Sequence, residues 1–172
     1  MKAIILCCAG LVAVAGWSAA STPSAVAGCR LTKPEKTVLA LINHVRTTRG
    51  RHALRPVAAL ERASRAHSRD MLRRGYFSHR SHGGGSYAAR LRAFGYSRSG
   101  CTAWKVGEII GWGQDSGAAA RRIFRRWMKS PAHRKVILQR SFRDVGIGAV
   151  TGTLCGLSGV RVVTVDFGHR VK

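Results

Sequence analysis

The hydrophobic pattern changes period part-way along this chain, and that change limits the fold more than any other feature. Up to about Lys129, apolar residues recur at helical spacing. Beyond Asp144 they gather into dense, valine-rich runs punctuated by glycine, as strands do. Helices first and a hairpin last describe an α+β chain, not a regular β-α-β alternation. At 172 residues the chain is long enough for one domain with a sizeable core.

The helical part divides at its punctuation. Thr32-Lys33-Pro34-Glu35 reads as a capping box that opens a helix carrying Val38, Leu41, Ile42 and Val45, with Gly50 closing it. A second helix starts near Pro56, lines Leu60, Ala63, His67 and Met71 on one side, and ends at Gly75. His67 therefore falls on an apolar face, where a buried histidine satisfied by a hydrogen bond is expected. Arg80 to Gly85 is a polar, glycine-rich loop, and Tyr87 to Phe94 is a short helix ended by Gly95. Val106 to Trp112 reads as extended. Asp115 or Ser116 is placed to cap a fourth helix that turns Ile123, Phe124, Trp127 and Met128 inward, and Pro131 stops it or starts a new turn. Residues 145–150 and 160–167 read as two antiparallel strands joined by Thr151 to Gly159, with Asp166 ending the second strand.

The first 28 residues are set apart. Lys2, an apolar run from Ala3 to Trp17 and a small-residue exit to Gly28 have the layout of a secretory signal, with cleavage expected between Ala20 and Cys29. The apolar run is shorter than the ~20 residues a spanning helix needs. Residues 29–172 then form a single domain, secreted or held at the cell envelope. Val26-Ala27-Gly28-Cys29 also reads as a lipoprotein box, which makes Cys29 a lipidation candidate. Cys101 and Cys155 then pair with each other; a bridge from Cys29 to either one is the competing arrangement.

The chain carries 30 Lys and Arg against 7 Asp and Glu, a net charge of +23. Such a field attracts anionic envelope polymers or lipid. The arginines are scattered and no nucleic-acid-reading motif occurs, so nucleic acid is not the expected partner.

Against that scarcity of acids, three local patterns stand out: Gly75-Tyr76-Phe77-Ser78-His79, then Gly107-Glu108-Ile109, then Trp127-Met128-Lys129-Ser130-Pro131-Ala132-His133-Arg134. Two imidazoles and a carboxylate are an acceptable set for zinc or another divalent cation, held weakly, with water in the open positions. They are equally a hydrogen-bonded cleft in which Glu108 fixes a histidine tautomer. His79, Glu108 and His133 are also the candidates for any catalytic role. No Gly-x-Ser-x-Gly elbow accompanies them.

With these pieces go Leu41-Ile42-Asn43-x-x-Arg46, Ala66-His67-Ser68-x-x-Met71, Arg90 to Tyr96, Val145-Gly146-Ile147-Gly148 and Asp166-Phe167-Gly168. Together they resemble the CAP superfamily of cysteine-rich secretory, antigen 5 and pathogenesis-related 1 proteins, in its short secreted bacterial (SCP-like) branch. The resemblance runs from about Glu35 to Gly168. It implies an α-β-α sandwich with a small, largely antiparallel sheet between helical layers. It also implies a central cleft lined in the family by two histidines and two glutamates. His79, Glu108 and His133 match three of the four. Ile109 replaces the usual Asn after the first glutamate, and Ser130 stands where the second glutamate would be. The expected function is a secreted or envelope-associated protein whose His/Glu/His cleft binds a ligand or divalent cation. A peptidase-like hydrolase acting on peptide or envelope polymer, and an adhesive protein using its basic face, are the alternatives.

Overall fold

Two glycines in one strand set how closely the layers approach. Gly146 and Gly148 sit where a Cβ would come 2.1 Å from the Leu60 carbonyl carbon and 2.3 Å from the Arg65 amide nitrogen. Only a strand bare at both positions lets helix and sheet meet backbone to backbone. The computed structural model describes residues 30–114 and 119–171. The expected leader, Cys29 and the expected cap residues Asp115 and Ser116 lie outside the described residues.

The elements follow in the order α1 (Lys33–Thr47), β1 (Arg55–Pro56), α2 (Ala58–Arg74), α3 (Tyr87–Ala93), β2 (Ala103–Gly113), α4 (Ala119–Lys129), α5 (Pro131–Ile137), β3 (Asp144–Leu154) and β4 (Leu157–Val171). The sheet order is β1-β3-β4-β2, antiparallel except for the short β1–β3 pair. Alternate residues of β4 face opposite layers, as the two-residue period requires. Val163, Val165 and Phe167 join Val38, Ile42, Ile123, Trp127 and Ile137 in the main core. On the other face, Thr164 and Asp166 meet α2, accepting from Ser68 Oγ at 2.9 Å and Ser64 Oγ at 2.7 Å. This is the expected sandwich, with α1, α4 and α5 on one side and α2 and α3 on the other.

Most helix boundaries agree with the sequence pattern. Thr32 N–H donates to Glu35 Oε2 at 2.8 Å, the carboxylate half of the capping box. Gly75 ends α2 with φ of 64°. Arg46, on α1, is wholly buried and donates to the carbonyls of His52, Ile137, Gln139 and Phe142, so it ties the loop after α5 to α1.

Three expectations are corrected. The hairpin connection is not Thr151 to Gly159. Leu154 pairs with Leu157, and the turn is Cys155-Gly156, both with positive φ (49° and 82°). That is the signature of a tight two-residue turn matched to strand twist. Asp166 does not end a strand but lies inside β4, opposite both Glu108 and Gly146. Finally, Cys101 and Cys155 do not pair with each other, and neither is bridged among the described residues. Cys101 precedes the Ala103–Val171 end of the sheet, whereas Cys155 caps the Leu157 end. The 15 residues of β4 lie between them, about 45 Å of extended chain. A disulfide needs its Cα atoms within about 7 Å.

Candidate functional site

β2 is an edge strand, and the site straddles it. Glu108, Ile110 and Trp112 point to the α2 side, where Ile110 and Trp112 pack with Met71. Gly107, Ile109, Gly111 and Gly113 face α4 and α5. A Cβ at Gly111 would strike Ile123 at 2.6 Å, so glycine there lets α4 lie against the strand. Trp127 is pinned by its indole N–H, which donates to the Ile110 carbonyl at 2.9 Å. Around this edge opens a cleft of about 690 Å³ with Phe77, Ile110, Trp112 and Trp127 among its walls and His79, Ser130 and His133 in its lining.

His79 reaches the cleft from the loop after α2. That loop is anchored by His67, which is buried and whose Nε2 lies 2.8 Å from the Ser78 carbonyl. Burial and the nearby Arg90 hold the His67 imidazole below its ordinary pKa. It is therefore neutral near pH 7 and donates to that carbonyl as the Nε2–H tautomer. The expected structural role of His67 is met, and the bond it makes positions His79.

Glu108 does not face the cleft. Its side chain is fully buried, with Oε1 2.8 Å from His79 Nδ1 and Oε2 against the Arg90 guanidinium from α3. A carboxylate only accepts, so His79 Nδ1–H donates, and in the neutral tautomer this selects, Nε2 is the lone-pair nitrogen. Glu108 thus stands behind His79 as a carboxylate partner that fixes the ring. Of the three residues expected to share one ion, His79 and His133 line the cleft together and Glu108 stands behind His79. Both carboxylate oxygens are already engaged, and no group of three His, Cys, Asp or Glu side chains suited to a metal occurs among the described residues.

His133 enters from α5, on the other side of the edge strand. Its Nδ1 lies 2.8 Å from Ser130 Oγ, the residue at the position of the missing glutamate. Partial burial, and next the neighbouring His79, lower its pKa, so it is neutral at pH 7. Both histidines therefore have Nδ1 engaged, His79 by Glu108 and His133 by Ser130, in the same cleft.

The residue that sequence reasoning missed is Asp166. It lies directly across from Glu108 in the β2–β4 register and is completely buried. Ser64 bonds its Oδ2, while Oδ1 has no partner. Burial and the adjacent Glu108 raise its pKa well above the ordinary carboxyl value. Arg90 pairs with Glu108 and not with Asp166, and its charge offsets burial and Glu108 only in part, so the protonated Asp166 is the form that fits beside the Glu108–Arg90 pair. Alternation alone would have placed Asp166 on one sheet face, but its partner was visible only once the register was known.

The sequence profile of the cysteine-rich secretory protein family (CAP) matches residues 39–167. The chain belongs to the CAP family. It is 34% identical over 130 residues to the uncharacterized protein YkwD of Bacillus subtilis, a match covering 76% of this chain and 46% of that protein. The chain thus spans less than half the length of that relative. Among solved structures, it resembles an outer surface protein of Borrelia burgdorferi (TM-score 0.68, 17% identity, 81% of this chain and 94% of that one). It also resembles an extracellular SCP-domain protein of Bacillus anthracis (TM-score 0.65, 21% identity, 81% and 44%). At these identities the structural likenesses speak for the fold alone.

Proposed function

We propose that this CAP domain is an extracytoplasmic binding module whose edge cleft takes its ligand through His79 and His133, with a divalent cation as the simplest such ligand. The observation that carries this reading is the buttress behind His79. Arg90 fixes Glu108, and Glu108 accepts a hydrogen bond from His79 Nδ1–H, which turns Nε2 of that ring to the cleft. Two imidazoles, which bind metal in their neutral form, fit a cation such as zinc, with water or a bound molecule completing the shell. The set is one protein ligand short of a usual catalytic zinc site, so affinity is weak. Export rests on the leader-like first 28 residues and on the extracellular SCP-domain protein that the fold resembles. Among the described residues no helix is long and apolar enough to cross a membrane.

Isothermal titration of zinc into the mature protein tests the reading. Binding is expected at pH 7.5 and is lost in His79→Ala and in His133→Ala. It weakens at acid pH, as the pH falls through the lowered pKa of His133 and that ring protonates. Equal binding by wild type and both variants would place any metal elsewhere. The hydrolase reading has one contact in its favour, the Ser130–His133 pair at 2.8 Å. Labelling of Ser130 by a serine-directed fluorophosphonate, lost in His133→Ala, would promote it over the binding reading.

A further inference from the structure

Beside the cleft, and sharing Trp112 and Arg126 with it, lies a second pocket of about 450 Å³. Its lining includes Arg122, Arg125, Arg126 and Lys129, all from α4. These sit at i, i+3, i+4 and i+7, one stripe of a helix. Arg122 donates to the Gln114 carbonyl at 2.7 Å and Arg126 to the Trp112 carbonyl, so two guanidinium groups are held against the end of β2. Arg125 and Lys129 are exposed.

The helix itself is unusual. Its 11 residues include five cations, with Arg121 outside the stripe, and no acid. A solvated surface helix normally interleaves charges, because like charges at i and i+4 repel by about 0.2–0.5 kcal/mol per pair. No described carboxylate lines the pocket. Even if Asp115, next in sequence to Gln114, is counted against the four cations, three positive charges remain.

We infer that the outer stripe of α4 is a docking strip for a polymer of phosphate groups. Arginine forks match phosphate oxygens in pairs, and a docked polyanion would relieve the repulsion along the helix. The stripe runs about 10 Å along the axis, seven residues at the helical rise, longer than a single phosphate. A flexible chain with repeated phosphates engages all of it, and orthophosphate only part. The inference stands apart from the proposed cleft function, since neither histidine belongs to the strip.

The test is titration of the full mature protein at fixed salt with long-chain inorganic polyphosphate, a glycerol-phosphate polymer, orthophosphate and a single-stranded oligonucleotide. The strip variant is Arg125→Ala/Lys129→Ala. The charge-matched control is Arg92→Ala/Arg98→Ala, exposed residues near the far, Ala103 end of β2. Thermal melts confirm that both variants fold. The strip variant is expected to bind the phosphate polymers about tenfold more weakly, and the control within about twofold. The slope of log affinity against log salt should fall in magnitude by roughly 1.4, for two lost phosphate contacts. His79→Ala should leave this binding unchanged, which separates its failure from failure of the cleft reading. Tighter binding of the glycerol-phosphate polymer would assign an envelope source, and tighter polyphosphate binding a free one; both support the strip. Equal losses in strip variant and control would show diffuse charge and overturn the inference, as would no loss at all. An oligonucleotide that outcompetes both phosphate polymers would replace it with nucleic-acid binding.

Discussion

Replacing Gly146 by alanine should damage both the fold and the site. The new Cβ would lie 2.1 Å from the Leu60 carbonyl carbon and 2.4 Å from the Glu61 nitrogen, whereas ordinary contact begins at 3.4 Å. Helix α2 must therefore lift by roughly 1.3 Å, the difference between 3.4 and 2.1 Å. Its backbone cannot rotate aside as a side chain can. A lift of that size stretches the 2.7 Å Ser64–Asp166 bond and the 2.9 Å Ser68–Gly148 bond beyond hydrogen-bonding range. Overpacking costs about 1–3 kcal/mol and each lost bond about 1 kcal/mol. The expected destabilisation is about 3–5 kcal/mol, or a fall in Tm of about 10 °C or more for a chain of this size. Circular-dichroism melts and urea unfolding measure it. Zinc affinity should fall too, because α2 carries His67, which anchors the loop bearing His79. Gly113→Ala is the control. Its Cβ would meet the Arg126 guanidinium at 3.4 Å, Ile123 at 3.7 Å and Ala119 at 3.9 Å, all ordinary contacts with side chains, so stability should stay within about 1 kcal/mol of wild type. If Gly146→Ala also stays within 1 kcal/mol, the backbone contact between α2 and β3 does not govern the packing.

Two further substitutions address the buried carboxyls. Asp166→Asn should stabilise the protein at pH 7.5 and much less at pH 4. The folded pKa of Asp166 is raised, so above the unfolded value of about 3.9 the native state holds the extra proton and loses stability as pH rises towards the folded pKa. Asn keeps an acceptor for Ser64 and offers Glu108 a donor without that penalty. Urea unfolding at the two pH values measures it, and an Asn advantage that does not grow with pH would refute the protonated form. Glu108→Gln should weaken zinc binding by about 10–100-fold while leaving both histidines in place, as loss of a carboxylate behind a ligand does. Unchanged affinity would mean that the buttress does not set the orientation of His79.

The fold was largely legible because its punctuation is local. The capping box at Thr32, the left-handed Gly75, and the Val145-Gly146-Ile147-Gly148 run each announce an element through their own residues. The two-residue strand β1 was not legible, since Arg55-Pro56 carries no periodicity and exists as a strand only by pairing with β3. The hairpin turn was placed too broadly because Cys155 takes a positive φ that its residue type does not advertise. In the site, His79, Glu108 and His133 were found through motifs. Their division of labour was hidden, because it depends on Arg90 arriving from α3 and on the β2–β4 register that sets Asp166 beside Glu108. The cysteine pairing failed for a related reason: parity says nothing about which end of a sheet a residue occupies.

Acid placement links the cleft to the strip. Of the six described carboxyls, Glu35, Glu61, Glu108, Asp144 and Asp166 are buried, and Asp70 is mostly covered by Arg73, Arg74 and Tyr76. The acids stabilise the interior, and the solvent-facing charge is left almost wholly positive. A cation entering the cleft then meets an opposing field, with Arg126 at the rim. Added salt should screen that field and strengthen zinc binding, while it weakens polyanion binding at α4. The two processes therefore carry opposite salt slopes. They should also be coupled, because a polyanion that neutralises Arg126 removes part of the opposition to a metal at His79 and His133. By linkage, zinc must then favour the polyanion by the same factor. Zinc affinity that is unchanged by saturating polyphosphate, once chelation by the polymer is subtracted, would mean that cleft and strip work independently.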